Sequence, residues 1–369
     1  MDHAATTHPH EEVVEAMQPY LDTHYRNPSA RYAATESEAV ADARASVADL
    51  LGATPRDVVF TGGGSEADNL ALKGVVDALD GDHVVTTTIE HSAVVEACDW
   101  LERHGVDVTR VAPNEDGRVE PDDIAAAIRP DTVLVSVMHA NNETGVVQPL
   151  HAIGDITDDH DVLFHSDTVQ SAGKLPVDVD TLGLDLASLS AHKFYGPKGV
   201  GALYVRDGVD LEPLIHGGGQ EHGLRSGTEN VAGLVGMGTA AELAMEDLGE
   251  RRKRLTDLRE EFIAAVQAVT DAELVGHPDQ RLPGYAMLCF PGRNGASVID
   301  ALADHDIAVS GGSACHADDS SPSRVLVEMG IDPDVAFGAV RFSMGRETTR
   351  EDVEYVSETL QAVLQDVPA

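Results

Sequence analysis

The stretch DVVFTGGGSEADNLALKGVVDALDGDHVVTTT, residues 57–88, reads as one complete strand–turn–helix–strand unit. DVVF and HVVTTT are short runs rich in β-branched and apolar residues, bounded by Gly and Asp, a pattern that suits buried strands. Between them SEADNLALKGVVDAL repeats its apolar residues at helical spacing. The alternation continues outward from this unit. Strand-like runs recur at VDVTRV (106–111), TVLVSVM (132–138), DVLFHS (161–166), LDLASLS (184–190) and GVGALYV (199–205), and helical spacing at SAVVEACDWLERHG (92–105) and EPDDIAAAI (120–128). Repeated strand–helix alternation predicts an α/β fold, a mostly parallel seven-stranded sheet flanked by helices on both faces. From about residue 228 to 268 the chain reads as largely helical, and beyond about 255 the pattern becomes shorter and mixed. We therefore expect a large domain over residues 15–255. A smaller α+β domain takes residues 256–369, with segment 1–14 joined to it.

Bulk properties narrow the function classes. The 369 residues are 42% hydrophobic, enough for a globular core. No run approaches the ~18 apolar residues of a membrane span. The opening MDHAATTHPHEEVV has neither the basic nor the apolar region of a signal peptide, so a cytoplasmic protein is expected. Three cysteines without framework spacing argue against a disulfide scaffold. Acidic residues number 64 against 25 basic ones, giving a net charge of −39. The acids are scattered, a general surface property, and the deficit of Lys and Arg argues against nucleic acid as a direct partner. Such self-repulsion is tolerable in concentrated salt, where the Debye length falls to ~3 Å at 1 M. A salt-loving host is expected.

In α/β sheets ligands gather beyond the carboxyl ends of the strands, and the unusual residues fall there. TGGGSEADN follows DVVF. A Gly-rich turn opening a helix exposes backbone N–H groups to an anion, and Gly64 and Ser65 are placed to hold a phosphate, with Ser65 also a plausible N-cap. The spacing matches neither a dinucleotide nor a triphosphate motif. IEHSAV brings His91, able to stack on a flat ring or move a proton near neutral pH. HANNETG brings Asn142 as an amide partner for a ring oxygen, although Asn141 reads equally well as a turn residue. HSDTVQSAGK brings Asp167, able to keep a pyridine nitrogen protonated or to cap a helix, and Gln170, able to bond a ring hydroxyl. LSAHKFYGPKGVG brings Ser190, His192 and Lys193. A lysine at the mouth of a buried strand is poorly solvated, which lowers its pKa towards a nucleophilic amine, though an isolated His–Lys pair suits a solvated loop as well. Phosphate cradle, amine, carboxylate and imidazole together describe pyridoxal phosphate.

Cysteine offers a second clue. Cys98 and Cys289 lie in amphipathic and apolar runs and read as small buried hydrophobes. Cys315 sits in SGGSACHADDSSPSRVL (310–326), a polar Gly- and Ser-rich segment with no packing use for a thiol.

The chain resembles the cysteine desulfurases of the NifS/IscS type, class-V-aminotransferase-like members of the fold-type I pyridoxal-phosphate enzymes. The resemblance rests on MDHAATT, EHSAV, MHANNETGVVQ, SDTVQSAGKLP, SAHKFYGPKGVGALYV, HGGGQEHGLRSGT, SGGSAC and VRFSMGRETT, and it spans nearly the whole chain. It implies that Lys193 binds the cofactor covalently, that Asp167 pairs with the ring nitrogen and that His91 stacks on the ring. Gln170 and Asn142 would hold the ring hydroxyl side, and Gly64, Ser65, Ser190 and His192 the phosphate. Thr228 would reach the phosphate of a neighbouring subunit, implying a homodimer. Asn27 and Arg341 would hold the substrate carboxylate, and Cys315 would carry the persulfide, with Gly311, Gly312 and Ser313 freeing its loop. L-cysteine is the implied substrate, L-alanine the product, and a sulfur-acceptor protein in iron–sulfur cluster assembly or tRNA thiolation the implied partner. No metal site is expected. Two departures stand out: GGGSE replaces the usual SGATE, and His316 follows the cysteine where Ser or Thr is common. Selenocysteine lyase, another class-V enzyme, or a non-enzymatic sulfur carrier are the competing readings.

Overall fold

The computed structural model describes residues 1–311 and 321–366; Gly312, Ser313, Cys315 and His316 lie outside the described residues. Three helices come first, α1 (Glu11–Met17), α2 (Pro19–Asp22) and α3 (Ala34–Leu50). The alternating part runs β1 (Val58–Thr61), α4 (Gly64–Ala78), β2 (His83–Thr87), α5 (Ser92–Arg103), β3 (Asp107–Val111), α6 (Pro121–Ala127), β4 (Thr132–Ser136), α7 (Leu150–Asp159), β5 (Leu163–Asp167), β6 (Leu186–Ser190) and β7 (Gly201–Val205). There follow α8 (Val231–Glu246), α9 (Leu248–Gln267), β8 (Glu273–Leu274), β9 (Tyr285–Cys289), α10 (Gly295–Ala303), α11 (Arg324–Glu328), α12 (Pro333–Ala336), β10 (Ala339–Ser343) and α13 (Arg350–Asp366).

All seven expected strands form one sheet in the order β1-β7-β6-β5-β4-β2-β3. Strands β3, β2, β4, β5 and β6 are parallel, while β7 runs antiparallel to both β6 and β1. Since β7 is reversed between them, β1 points the same way as β6, and the turn after β1 reaches the same edge as those after β2, β4, β5 and β6. Side chains alternate between two cores, as a period of two requires. Val59, Val84, Leu134 and Leu203 face Leu72 and Val75 of α4 and Val94 and Leu101 of α5. Phe60, Val85, Val135 and Ala202 face the other way, towards Val47 of α3, Ile153 of α7 and Met237 of α8. Each fully buried aliphatic or aromatic side chain contributes ~1.5–3 kcal/mol. On that second face, α3 and α8 approach closely because Gly238 has no Cβ; one built there would lie 2.6 Å from Ala43 Cα.

A three-stranded antiparallel sheet, β10-β9-β8, forms the smaller core. Leu288 and Phe342 lie in it with Leu258 and Phe262 of α9, Val298 of α10 and Leu360 of α13. The boundary expected at 255/256 falls inside α9, which continues unbroken from Leu248 to Gln267. The first residues join this sheet: Asp2 bridges Ser343 in parallel, and Ser343 N donates to Met1 O at 2.9 Å. Cys98 and Cys289 are wholly buried, and burial pushes both thiols up to about 12, so neither is a nucleophile near neutral pH.

Candidate active site

The turns after β1, β2, β4, β5 and β6 surround one cavity of about 1440 Å³, and the small sheet closes its other side. Gly64, Ser65, His91, Asn142, Asp167, Gln170, Ser190, His192, Lys193 and Arg341 all line it.

At one end the chain leaves β1 through Thr61–Gly63 and starts α4. Gly63, at φ +152°, is the N-cap and offers no side chain to the helix. Gly201 of β7 presses against it, since a Cβ on Gly201 would meet Gly63 Cα at 2.6 Å. Ser65 is therefore not the N-cap but an exposed residue of the first turn. An uncapped helix start in a cavity wall directs backbone donors and a positive dipole end at an anion. Ser190, the last residue of β6, and His192 complete this end. His192 Nδ1 lies 3.0 Å from Thr6 Oγ1. Burial first, then the charges of Lys193, Lys198 and Lys174, push its imidazole down to about 4, which leaves a neutral ring.

Lys193 closes the one-turn helix Ala191–Lys193 directly after β6. Its Nζ donates to Ala4 O at 2.6 Å and Ala5 O at 2.8 Å, so the amine is already aimed before any ligand enters. Lys174 is half-buried nearby and donates to Gln170 O at 2.9 Å. Burial, then the like charges of Lys193 and Arg251, push Lys174 down to about 7.

The opposite end is a buried polar floor. Asp167 ends β5 at 6% exposure, and its Oδ1 accepts from Val169 N at 2.9 Å. Burial raises its pKa, against the nearby His91 and Lys193, which lower it. His91 is the N-cap of α5, its Nδ1 accepting from Ala93 N at 3.2 Å. Gln170 donates from Nε2 to Ala4 O at 3.0 Å and accepts from Tyr285 OH at 2.5 Å, so the cavity-lining amide is held at both ends. The two asparagines separate cleanly. Asn141 is buried and holds the turn, its Oδ1 accepting from Glu143 N and Thr144 N, while Asn142 faces the cavity. Arg341, 2% exposed, pairs with Asp2 Oδ1 at 2.9 Å and donates to Asn142 O at 2.7 Å.

Two expected residues are not brought to the cavity. Asn27 is exposed, and its side chain caps a local turn by accepting from Ser29 N at 2.9 Å. The amide residue beside Arg341 is Asn142. Thr228 is also exposed and outside the cavity of its own chain. Cys315 lies outside the described residues, but Gly311 and Ser321, the described residues on either side of it, both line the cavity. Sequence reasoning passed over Asp68 and Glu90, both cavity-lining and 1% exposed. Glu90 accepts at Oε1 from Thr87 Oγ1 and Met138 N, and burial pushes it up to about 8. A carboxyl on the apolar stripe of α4 was the available signal for Asp68. The residue set fits pyridoxal phosphate: an uncapped helix start for the phosphate and an aimed amine for the aldehyde. At the far end is a buried carboxylate for the ring nitrogen, next to which Asp68 Oδ1 has no hydrogen-bond partner.

Comparison with known proteins agrees with this arrangement. Residues 1–356 match the class-V aminotransferase family. The chain is 44% identical to the cysteine desulfurase IscS of Dictyoglomus turgidum, over 99% of this chain and 94% of the relative. It is 47% identical to that of Anaeromyxobacter dehalogenans, over 96% and 89%. Among solved structures it superposes on a NifS-like protein with a TM-score of 0.93 at 36% identity, covering 99% of both chains. A structure described as SspA in complex with cysteine gives 0.83 at 38% identity, covering 93% of this chain and 97% of that one.

Proposed function

The chain belongs to the class-V aminotransferase family, among the cysteine desulfurases of the IscS and NifS type, and on that premise we propose that it converts L-cysteine to L-alanine and places the sulfur on Cys315. One observation carries the reading. Lys193, Asp167, His91 and Arg341 share a cavity whose wall includes Gly311 and Ser321, between which Cys315 lies in sequence.

Bound pyridoxal phosphate would supply an electron sink conjugated to the substrate α-carbon. Its phosphate would lie on the amides at Gly64 and Ser65 with Ser190 and His192, and its aldehyde would meet Lys193. Asp167 would hold a proton on the ring nitrogen, His91 would cover the ring face, and Asn142 and Gln170 would flank the ring hydroxyl. Arg341 would bind the substrate carboxylate by the two-pronged pairing that guanidinium allows. Asp2 and Asn142 O keep it oriented meanwhile. The amine of Lys193 would be the base placed to move the α-proton. The Cys315 thiolate then attacks the substrate sulfur: the C–S bond breaks, an S–S bond forms on Cys315, and the electron pair left on the substrate β-carbon takes a proton.

The wider reading has the persulfide serve an acceptor protein of iron–sulfur cluster assembly or tRNA thiolation. A homodimer is part of it, with Thr228 exposed for the neighbouring subunit's phosphate. Among the described residues no helix is long and apolar enough to cross a membrane. A cytoplasmic site and a salt-adapted surface, the latter drawn from the net charge of −39, complete the proposal.

Borohydride reduction of the purified protein followed by peptide mapping tests the premise. A pyridoxyl adduct on Lys193 is expected, together with alanine and sulfide from cysteine. Absence of the adduct overturns the reading.

A further inference from the structure

Asp68 lies on α4 one turn beyond Gly64, facing the sheet, and no step described so far uses it. A carboxyl oxygen of Asp68, one of Asp167 and a ring nitrogen of His91 all lie within 4.8 Å of one another. Asp68 is 1% exposed and lines the cavity, yet its Oδ1 has no hydrogen-bond partner. A buried carboxylate oxygen without a donor is costly; a buried carboxylic acid is far less so.

The neighbours of Asp68 offer it little positive charge. His165 Nε2 on β5 is 3.8 Å from Oδ1, but that nitrogen is 2.9 Å from Ser188 Oγ, and Nδ1 is 2.9 Å from Ser136 Oγ. Burial pushes His165 down to about 3, so it is neutral. Burial, the largest cause, and the charges of Asp167 on β5 and Glu90 on the turn after β2 raise the pKa of Asp68, against the Ser188 hydroxyl on β6, whose hydrogen bond lowers it. His91 stands at the cavity side. Helix α5 brings Cys98, held protonated by burial, and Tyr204 of β7 belongs to the opposite core. Asp167 is better served: Val169 N donates to it, and His91 and Lys193 lower its pKa. Two buried carboxyls this close do not both ionise, and the one beside Lys193 and His91 takes the charge.

We propose that Asp68 is a positioning residue for the cofactor ring: it remains a neutral carboxylic acid at pH 7 and, by holding the one proton the pair shares, leaves Asp167 the sole anion facing the ring nitrogen. Asp68 acts through Asp167 and does no chemistry itself. The proposal rests on the cofactor reading above.

Infrared spectroscopy of the holoenzyme at pH 7 tests it. A neutral-carboxyl C=O band that moves on ¹³C-aspartate labelling is expected in the wild-type protein, where labelling leaves the corresponding band of Glu90 in place. Asp68→Asn removes the labelled band, keeps cofactor affinity within about threefold, and abolishes an alkaline component in the pH titration of the visible absorbance. Asp167→Asn weakens cofactor binding by about tenfold or more. The proposal is overturned if no aspartate band is found, if Asp68→Asn loses cofactor as Asp167→Asn does, or if its visible titration matches wild type. Absence of any aspartate band in the labelled wild-type spectrum overturns the proposal even where Asp68→Asn does not fold. A Lys193 adduct with no aspartate band sinks this proposal alone, whereas absence of the adduct sinks the cofactor reading with it.

Discussion

At the floor of the cavity Asp68, Glu90 and Asp167 are each at most 6% exposed and fixed by β5, α4 and the turn after β2, whereas at the rim Gly311 and Ser321 are exposed. The floor is held by strand ends and its protonation is set by burial. The rim is fastened on both sides, and before Gly311 Ser310 bridges Arg341 of β10, with Arg341 N donating to Ser310 O at 2.6 Å. Ser323 Oγ donates to Glu143, and Arg324 donates to Thr88 O and, at 2.7 Å, to Glu90 O, so the chain re-enters α11 firmly just beyond Ser321. Groups that must keep one charge state are buried in the sheet, and Cys315, the proposed sulfur nucleophile, lies in sequence between the rim residues. Cofactor chemistry and sulfur capture are thus separable by substitution.

The sharpest break is a crossed pair of variants. Lys193→Ala should lose both the visible cofactor band and product, while Cys315→Ala should keep the band and lose sulfide and alanine formation by ~10³-fold or more. Loss of the band in Cys315→Ala would join what the comparison separates. Arg341→Ala, next in size, should raise KM for cysteine about 10- to 100-fold with the cofactor spectrum unchanged, the worth of a charge-assisted pairing. Steady-state kinetics beside absorbance spectra check this.

Glu90 sharpens the floor's side. Its folded pKa of about 8 exceeds the ordinary 4.5, so its proton is held by the fold after the unfolded chain has released it. Its contribution to stability is complete below about 4.5 and is lost as pH rises through about 8. Glu90→Gln should therefore flatten the fall in melting temperature over that window, measured by thermal scans at several pH values. An equal slope in both proteins would show the group is not buried neutral. Smallest of all, Asn27→Ala should leave KM within about twofold of wild type, because a turn cap at the surface contributes little beyond local order.

Much of this was legible because the physics is local. Runs such as TVLVSVM and LDLASLS formed strands where they stood, since continuous β-branched and Leu-rich segments bury on both faces. The residues beyond those strands reached the cavity because parallel strands share one carboxyl edge. The reversal of β7 was not legible, since GVGALYV carries no mark of direction and only the short connection from β6, with Gly201 against Gly63, shows it. The choice between Asn141 and Asn142 stayed open until the turn was seen. Ser65 gave way to Gly63 as N-cap for a similarly local reason, a matter of one or two residues. Asp68 was hidden by the regular spacing of its helix. Asn27 is a different case, a long-range placement that no nearby residue specifies; within its own chain it stands outside the cavity.

The opening five residues tie two parts of the molecule together. Met1 and Asp2 are stitched to the end of β10, and three residues later the carbonyls of Ala4 and Ala5 grip the amine of Lys193. This short thread works as a tendon, setting the height of the reactive nitrogen by the position of the small sheet. Cutting it would slacken that amine and loosen the part of the cavity wall that Ala4 and Ala5 form.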